Sequence, residues 1–506
     1  MTLLCTRRDI DTLRKTAYRE LCDALTSEML DGVRNCAARL REGLPNAEDL
    51  HRNTVMVAYG GGKDSSYTLA FVRAMQLMLF QEHGDTFRLR VATNRHAGMP
   101  QAVMENIDRA YRALRLPDDP DCELLLIDGN TVRPFASDTP QDPGVVARNR
   151  LDILMTGHRT AGDARPTFCN ACNLSMVNSF GVAAGYGEGV DVIVTGDSEH
   201  EQRDYRLWVT RLAREFGLQP ARGERVGFGG FLATLNNISR AYFTDIHGAD
   251  AVDVIADHSI TSTVREGMRF FSIYGDTDYA SGEHWELLTD FLGFIFDDIA
   301  FSFTESDCGN PALMAHLRAL KSERCYGLTY ADGLAEYVDF ALSLMHRKEF
   351  PPKLVEVMRE RYQGVGSATR MRAAMDAYAR EAYGLSEEQL VCLVYAPFTE
   401  KAERLADYLA AERPDLVGAE QRMRSLLSGE SEPSEDRVLQ GEIERMSGLS
   451  VQQLRVLYRS SLRLPKVTPA PGELIDVILD GDPHKTLIHT RHEANGPLVP
   501  EVLSGR

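Results

Sequence analysis

Short apolar runs alternate with amphipathic stretches through the first half of the chain. Four of these runs have the length and the Val, Leu and Ile content of buried strands: VMVAY (55–59), FRLRVAT (87–93), CELLLID (122–128) and VDVIVTG (190–196). The intervals between them are long enough for the crossover helices that parallel strands require. The pattern therefore predicts an α/β fold with a doubly wound, mostly parallel sheet.

Helical periodicity dominates both ends of the chain. Apolar residues recur every three or four positions between residues 9 and 41, and the same spacing returns after Trp285. We therefore predict three parts. They are a helical lead-in over residues 1–50, a sheet-containing domain with a cysteine metal site over residues 51–330, and a helical C-terminal domain over residues 331–506.

One short pattern occurs twice in the C-terminal part. Residues 384–393 and 448–457 share Gly-Leu-Ser, a Gln three residues after the Ser, and two further leucines. Ser at a helix N-cap with Gln three residues later is typical of a capping box. The pattern predicts two capped helices, either independent of each other or copies of one duplicated unit.

Composition narrows the choice of partners and location. With 56 basic and 74 acidic residues the formal net charge is −18, which disfavours tRNA as a partner because phosphate-backbone binding relies on clustered Lys and Arg. No apolar run is long enough to span a bilayer, and charged residues come too early for a secretory signal, so we expect a cytoplasmic protein with no membrane partner. Nine cysteines with one close pair are typical of reduced thiols.

A glycine-rich loop follows the first predicted strand. A strand, a glycine turn and a helix start together direct backbone N–H groups and the positive end of a helix dipole toward an anion. The residues predicted to cradle the phosphates are Gly60, Gly61, Gly62, Lys63, Asp64, Ser65 and Ser66. A carboxylate at position 64 suits a helix cap or a magnesium ion that bridges to phosphates. The spacing excludes both the Walker loop and the dinucleotide fingerprint, and a tight turn without a ligand is the remaining alternative.

These loop residues resemble the Ser-Gly-Gly-x-Asp-Ser loop of the N-type ATP pyrophosphatases, the PP-loop superfamily of GMP synthetase, argininosuccinate synthetase and the tRNA-thiolating enzymes. The resemblance implies a Rossmann-like (HUP) sheet. It also implies cleavage of ATP between the α and β phosphates, adenylation of a substrate carbonyl oxygen, and displacement of AMP by a nucleophile. Gly60 stands where the family usually has Ser, which removes one hydroxyl donor and keeps the backbone cradle.

A CxxC motif, Cys169 to Cys172, precedes a helix-like run that leads into the fourth predicted strand. Such a pair can be a redox dithiol, half of a zinc site or part of an iron–sulfur site. Cys308 and Cys325 are candidates for the two further ligands that zinc would need, although their spacing is unlike a compact zinc knuckle. The remaining cysteines are predicted to be packed core residues: Cys5, Cys22, Cys36, Cys122 and Cys392.

The order of these parts resembles one branch of the superfamily, the two-thiocytidine tRNA sulfurtransferases. There a CxxC follows the pyrophosphate loop, and a single cysteine in a Cys-Gly context comes later, as Cys308 does here. The resemblance implies that Cys169, Cys172 and Cys308 hold a [4Fe–4S] cluster with one open iron, where sulfur can be carried. Ligation by Cys325 would close that position, and structural Zn²⁺ or unligated core thiols are the alternatives.

Polar residues after two of the predicted strands are candidates for further contacts. Asp197, Glu199 and His200 follow the fourth strand, and Asn94 and His96 follow the second. Doubly wound folds bind ligands at the carboxyl edge of the sheet, so we predict that Asp197 contacts magnesium or substrate and that Asn94 contacts the nucleotide. A helix cap at Asp197 and a plain loop at Asn94 are the alternatives.

Together these features predict an ATP-dependent adenylating sulfurtransferase that uses ATP, Mg²⁺ and the cluster. Lys63, Asp64 and Asp197 are the predicted catalytic residues. The resemblance covers about residues 50–325, and no RNA-binding appendage is evident, which favours a small-molecule substrate and a separate sulfur donor over tRNA. An AMP-forming amide ligase with structural zinc, a tRNA-thiolating enzyme and a nucleotide-binding regulator are the alternatives, and a homodimer is left open.

Overall fold

A computed structural model describes most of the chain. The described residues are 7–196, 199–221, 227–261, 263–276, 285–300, 308–347, 350, 352–431, 436–466, 472–480 and 485–504. Within helices, the side chains of residues 170–173 and 199–201 are outside this description.

Six strands form one sheet in the order β4-β3-β2-β1-β5-β6. They are β1 Thr54–Ala58, β2 Arg88–Asn94, β3 Cys122–Asp128, β4 Thr131–Pro134, β5 Val192–Val194 and β6 Arg269–Phe271. All neighbouring strands are parallel except β3 and β4. The prediction of an α/β fold with a mostly parallel sheet is confirmed, and each of the four predicted strands coincides with an observed one.

The described helices before the last third of the chain are α1 Arg7–Ala24, α2 Ser27–Gly43, α3 Lys63–His83, α4 Gln101–Ala113, α5 Pro143–Thr160, α6 Ala164–Gly185, α7 Glu199–Glu215, α8 Gly227–His247, α9 Val252–Asp257 and α10 Asn310–Tyr326. Those that follow are α11 Tyr330–Arg347, α12 Pro352–Tyr362, α13 Ser367–Tyr383, α14 Glu387–Tyr395, α15 Leu405–Glu412, α16 Glu420–Ser428, α17 Arg437–Ser447, α18 Val451–Arg459 and α19 Leu474–Asp480. A hairpin of β7 Thr486–Arg491 and β8 Leu498–Leu503 ends the described chain.

Different helices cover the two faces of the sheet. Val55 and Val57 of β1 pack in one core with α1, α2, α3 and α4. Met56, which lies between them, packs on the opposite face with Ala183 and Ala184 of α6. Successive strand residues point to opposite faces, so a strand with three consecutive buried positions must be covered on both sides. The sheet is therefore a central layer between two helical layers.

The largest core joins α5, α6, α8 and α10 to the C-terminal helices. The packing is close at α5, where a Cβ on Gly157 would lie 2.3 Å from Cδ1 of Leu393 in α14. The buried cores thus contain residues from both sides of the predicted domain boundaries at residues 50 and 330. The division of the chain into three domains stays a prediction. No helix in the described ranges is long and apolar enough to cross a membrane.

Both predicted capping boxes are confirmed. Ser386 caps α14 and Ser450 caps α18, and each exchanges side-chain and backbone hydrogen bonds with the Gln three residues later. The side chain of Arg150 in α5 contacts both copies, since it donates to the carbonyl oxygens of Gly384 and Gly448 at 3.4 and 3.1 Å. The two copies therefore meet at one arginine.

Glu501 fastens the C-terminal hairpin to α10. Its carboxylate accepts hydrogen bonds from Lys321 Nζ at 2.8 Å, Arg318 Nη1 at 2.9 Å and the hydroxyl of Tyr326 at 2.9 Å. Burial alone would raise the pKa of the Glu501 carboxyl, but the two cations lower it to about 2. The hairpin is thus held by a buried charge cluster.

The stability of this attachment should depend on pH. The folded pKa of Glu501 lies below that of the unfolded chain, so the ion pairs stabilise the fold above the unfolded pKa and are lost as pH falls through the folded value. We expect Glu501→Gln to cost roughly 3 kcal/mol at neutral pH and progressively less as pH falls toward about 2. Urea unfolding of both proteins across this range measures the difference. A cost that does not change with pH would contradict the assignment.

Candidate active site

The glycine loop lies where the strand order reverses. β1 is flanked by β2 on one side and by β5 on the other, and the chain builds the sheet outward from β1 in both directions. A crevice opens between the carboxyl ends of two such strands, and doubly wound folds bind ligands there. Gly196, which follows β5, lies close to the loop, since a Cβ there would be 3.5 Å from the amide nitrogen of Ser65.

α3 begins directly after the glycines. Its N-cap is Gly62, which provides no side-chain capping hydrogen bond. Asp64 is the second residue of the helix, so the alternative role of helix cap does not apply to it. A helix end without a side-chain cap presents its N–H groups and the positive end of its dipole to whatever lies in the crevice. The arrangement suits an anion.

Gly61 is the glycine of this loop whose backbone conformation requires glycine. Its φ of +81° is in the left-handed region, and a Cβ would lie 2.7 Å from Cγ1 of Ile107 in α4. The residue is therefore needed for backbone conformation and for packing against α4. The sequence interpretation assigns all three glycines to the approach of phosphate oxygens. At Gly61, the backbone conformation and the packing against α4 require glycine even without a phosphate.

Gly61→Ala should destabilise the protein more than a matched glycine substitution. Gly84 at the end of α3 has a similar φ of +72°, but a Cβ there would meet none of the described atoms within 4 Å. We expect Gly84→Ala to cost about 1–2 kcal/mol for the left-handed conformation, and Gly61→Ala to cost a further 1–3 kcal/mol or so for overpacking. Urea unfolding measures both, and equal losses would mean that α4 moves aside freely.

The hydroxyls at the start of α3 are used within the loop. Ser65 and Ser66 donate to the carbonyl oxygen of Gly62 at 3.1 and 2.8 Å, and Ser66 Oγ also lies 3.0 Å from the hydroxyl of Tyr59. Ser66 is fully buried, whereas Ser65 is half-buried. Ser66 therefore braces the loop, and Ser65 is the more accessible of the two for the predicted phosphate contact.

Lys63 and Asp64 place opposite charges at the start of α3. Lys63 Nζ lies 3.9 Å from Asp64 Oδ1, and the lysine side chain is 8% exposed against 28% for the aspartate. The ammonium also lies 5.4 Å from the ring centre of Phe350, which comes between α11 and α12. An aromatic residue of the C-terminal part thus contacts the predicted nucleotide loop.

Asn94 carries an unsatisfied acceptor at the same edge of the sheet. It ends β2, and because Ala92 pairs with Ala58, it stands level with Gly60, two residues beyond the end of β1. Its side-chain oxygen is buried and has no hydrogen-bond partner among the described residues. A buried acceptor without a donor costs about 1–3 kcal/mol, so a ligand that donates there would remove a defect. His96, also buried, follows at the start of the next turn.

The end of β5 adds a third wall to the crevice. Tyr274 donates its hydroxyl to the carbonyl oxygen of Gly196 at 2.9 Å, and the same hydroxyl lies 3.3 Å from Thr68 Oγ1 in α3. This contact ties β5 to the helix that follows the glycine loop. Asp197 lies outside the described residues, as do the side chains of Glu199 and His200.

The CxxC lies inside a helix, and the prediction that it precedes one is wrong. α6 begins at Ala164, so Cys169 is already in its second turn. Pro166 is tolerated there because the first turn of a helix needs no N–H donor, and Thr167 donates its hydroxyl to the carbonyl oxygen of Asp163 at 2.6 Å. Cys172 belongs to the same helix, and its side chain is outside the described residues.

The structure brings Cys308 beside the start of this motif. Asn310, the first residue of α10, donates from Nδ2 to the carbonyl oxygen of Phe168 at 3.2 Å, across 142 residues of sequence. Phe168 immediately precedes Cys169, and both Cys169 and Cys308 are 1% exposed. Two of the three predicted cluster ligands thus come from neighbouring buried segments.

Cys325 is excluded as a fourth ligand beside Cys308. The two cysteines lie at opposite ends of α10, and a helical rise of 1.5 Å per residue separates Asn310 from Cys325 by about 22 Å. Burial raises the pKa of the Cys325 thiol to about 11, which keeps it protonated. The alternative of a zinc site completed by both Cys308 and Cys325 therefore fails on distance.

Two tyrosines of α13 lie around Cys308, and the sequence interpretation missed them. Tyr378 donates to the carbonyl oxygen of Gly98 at 2.7 Å, and Tyr383 donates to Oδ1 of Asn310 at 2.6 Å. Burial and the nearby Cys308 both raise the pKa of Tyr378, so its phenol stays a hydrogen-bond donor. The only sequence signal for this contact was the presence of aromatic residues on a C-terminal helix. Such residues more commonly pack in a core than line a site.

Comparison of the chain with protein-family models, with curated proteins and with solved structures gives no match. The resemblance to the N-type ATP pyrophosphatases therefore depends on the motifs alone.

Proposed function

We propose that this chain is an ATP-dependent sulfurtransferase that adenylates a carbonyl oxygen of a substrate and replaces that oxygen with sulfur. The observation that carries the proposal is the glycine loop, which joins β1 to the uncapped start of α3 at the point where the strand order reverses. This is the position in a doubly wound sheet that best suits the phosphates of a nucleotide.

The residues at the crevice fit ATP. Backbone amides at the start of α3 and the ammonium of Lys63 would neutralise phosphate charge, and the carboxylate of Asp64 would hold Mg²⁺. The buried Asn94 oxygen offers an acceptor to a donor group of the nucleotide. The task of these residues is to position the triphosphate and to stabilise the charge that develops on pyrophosphate.

In the first half-reaction, the carbonyl oxygen of the substrate attacks the α-phosphorus, and the bond to pyrophosphate breaks. This leaves an adenylated substrate whose carbon is open to a sulfur nucleophile, and AMP departs when the carbon–sulfur bond forms. Lys63 and the helix amides would hold the pyrophosphate oxygens, and Asp64 would hold the Mg²⁺ that neutralises the charge developing on them.

The cysteine segments fit a thiolate-ligated group. Cys169 and Cys308 are buried on segments joined by the Asn310–Phe168 hydrogen bond, and Tyr378 of α13 lies near Cys308. A [4Fe–4S] cluster held by Cys169, Cys172 and Cys308 would supply an open iron for sulfide. The surrounding aromatic side chains keep water, a competing nucleophile, away from this region.

The chain's acidity favours a small substrate. The formal net charge of −18 and the buried walls of the site suit a small-molecule biosynthetic intermediate better than tRNA.

Anaerobic purification followed by iron, acid-labile sulfide and zinc analysis tests the proposal. Iron and sulfide together with ATP-dependent pyrophosphate release would support it. Colourless protein without iron or sulfide but with the same pyrophosphate release would indicate an amide ligase of the same superfamily instead. Nucleotide binding without pyrophosphate release in the presence of cell extract would indicate a regulator.

A further inference from the structure

Three ligand-type side chains converge away from both sites described above. Asp152 belongs to α5, His247 ends α8, and His258 directly follows α9. One carboxylate oxygen of Asp152 lies 2.9 Å from Nε2 of His247, and the other lies 2.8 Å from Nε2 of His258. The three ligand atoms lie within 4.8 Å of one another. Asp152 and His247 are buried, and the side chain of His258 is 7% exposed.

In the neutral form of His258, the hydrogen bonding of the ring leaves a lone pair on Nε2, and this lone pair faces the carboxylate. Nδ1 of the ring lies 2.7 Å from the carbonyl oxygen of Val254, which can only accept, so Nδ1 carries the proton of the neutral ring. The Nε2 lone pair and an oxygen of Asp152 would repel each other at 2.8 Å unless a positive ion lies between them. That ion is either a second proton or a metal.

The surroundings suit a bound metal ion. Phe243 stacks on the His258 ring, with ring centres 3.6 Å apart, and closes one side of the cluster to water. A metal ion binds imidazole rings in their neutral form, and the Nε2 atoms of both rings approach the same buried carboxylate. A carbonyl that fixes the tautomer of a histidine through its other nitrogen is the outer contact that metal-binding histidines almost always have.

We propose that Asp152, His247 and His258 bind a divalent transition metal of the Zn²⁺ class. Two imidazoles and a carboxylate are ligands that Zn²⁺, Fe²⁺ and Co²⁺ share, and metal–ligand bonds of about 2.0–2.2 Å can reach three atoms this close together. The ion joins α5 to the segment that carries α8 and α9, and α5 and α8 both pack against the helix of the CxxC. Its role is structural, and it is independent of the nucleotide loop and of the cysteines.

Cobalt titration of the full chain, after removal of metal with a chelator, tests this site. We expect one Co²⁺ per chain whose weak ligand-field absorption is distinct from the intense thiolate band that any cysteine-bound Co²⁺ would give. His247→Gln and His258→Gln should each lower the affinity by about 100-fold or more, although Gln can still hydrogen-bond to Asp152. His51→Gln, in the group of Asp49, exposed His51 and Asp85, is the matched control and should bind Co²⁺ as the wild type does.

The proposal is overturned if wild-type protein binds no Co²⁺ or shows only thiolate-ligated Co²⁺, or if folded His258→Gln binds the ion with wild-type affinity. If neither histidine variant folds by circular dichroism, X-ray absorption of the zinc-loaded wild type decides. Scattering from imidazole rings around the zinc supports the site, and a zinc coordination shell made of sulfur alone overturns it.

Discussion

Asp64→Asn is expected to lower pyrophosphate release from ATP and substrate by roughly 100-fold or more, the scale on which removing one group that stabilises transition-state charge acts. Asn has the size of Asp but not its charge, so it would no longer hold Mg²⁺ against the phosphates. Asp64 lies in the first turn of α3 and is 28% exposed, so the fold should lose the helix-dipole contribution of about 0.3–1 kcal/mol together with the attraction to Lys63 Nζ at 3.9 Å. A pyrophosphate assay and urea unfolding measure the two effects separately.

Glu28→Gln is the matched control for this variant. Glu28 is an acidic residue in the first turn of α2, remote from the crevice, so its replacement changes the same helix-dipole interaction without touching the site. It should leave pyrophosphate release unchanged. If Asp64→Asn releases pyrophosphate at the wild-type rate, the adenylation scheme is wrong.

Cys308→Ser should abolish sulfur transfer while pyrophosphate release stays within a few-fold of wild type. Serine is nearly isosteric with cysteine but is a poor ligand for iron, so the group held with Cys169 would be lost and the nucleotide loop would remain. Iron content, pyrophosphate release and the mass of the product measure the three consequences. If the variant loses both its iron and its pyrophosphate release, the cysteine site and the nucleotide loop do not act separately.

Cys325→Ser supplies the comparison, because Cys325 lies at the far end of α10, the helix that follows Cys308, and burial raises the pKa of its thiol. It should retain iron and sulfur transfer. Equal losses in the two variants would show that α10 packing, rather than ligation by Cys308, is responsible, and retention of iron in both would show that Cys308 is not a ligand.

The sheet was predictable because its central strands are buried on both faces. β1, β3 and β5 carry continuous apolar runs, which stand out against amphipathic helices, and β2 has buried Leu89, Val91 and Ala92 beside its two arginines. β4 and β6 were missed because they are edge strands, only four and three residues long, with half-buried or exposed side chains. Short edge strands have little hydrophobic signal, and their place in the sheet is set by the neighbour they pair with.

Candidate site residues could be predicted from the sequence where they form a local motif or follow a predicted strand, as Asn94 does. Residues 60–66 indicate an anion-binding helix start because strand, glycines and helix follow one another. The contact between Asn310 and Phe168, and the tyrosines of α13, depend on packing between distant helices and leave no local pattern. The Asp152, His247 and His258 cluster was missed for the same reason, since 95 residues separate Asp152 from His247.

The unsatisfied oxygen of Asn94 also has a practical meaning for finding the substrate. A molecule that donates a hydrogen bond to it binds the folded chain and not the unfolded one, and so must raise the melting temperature. Ligand at 100 times its dissociation constant adds about 2.7 kcal/mol. Libraries of nucleotides and carbonyl metabolites can therefore be screened by thermal shift before the reaction is identified, and Asn94→Leu would distinguish the hits that use this oxygen.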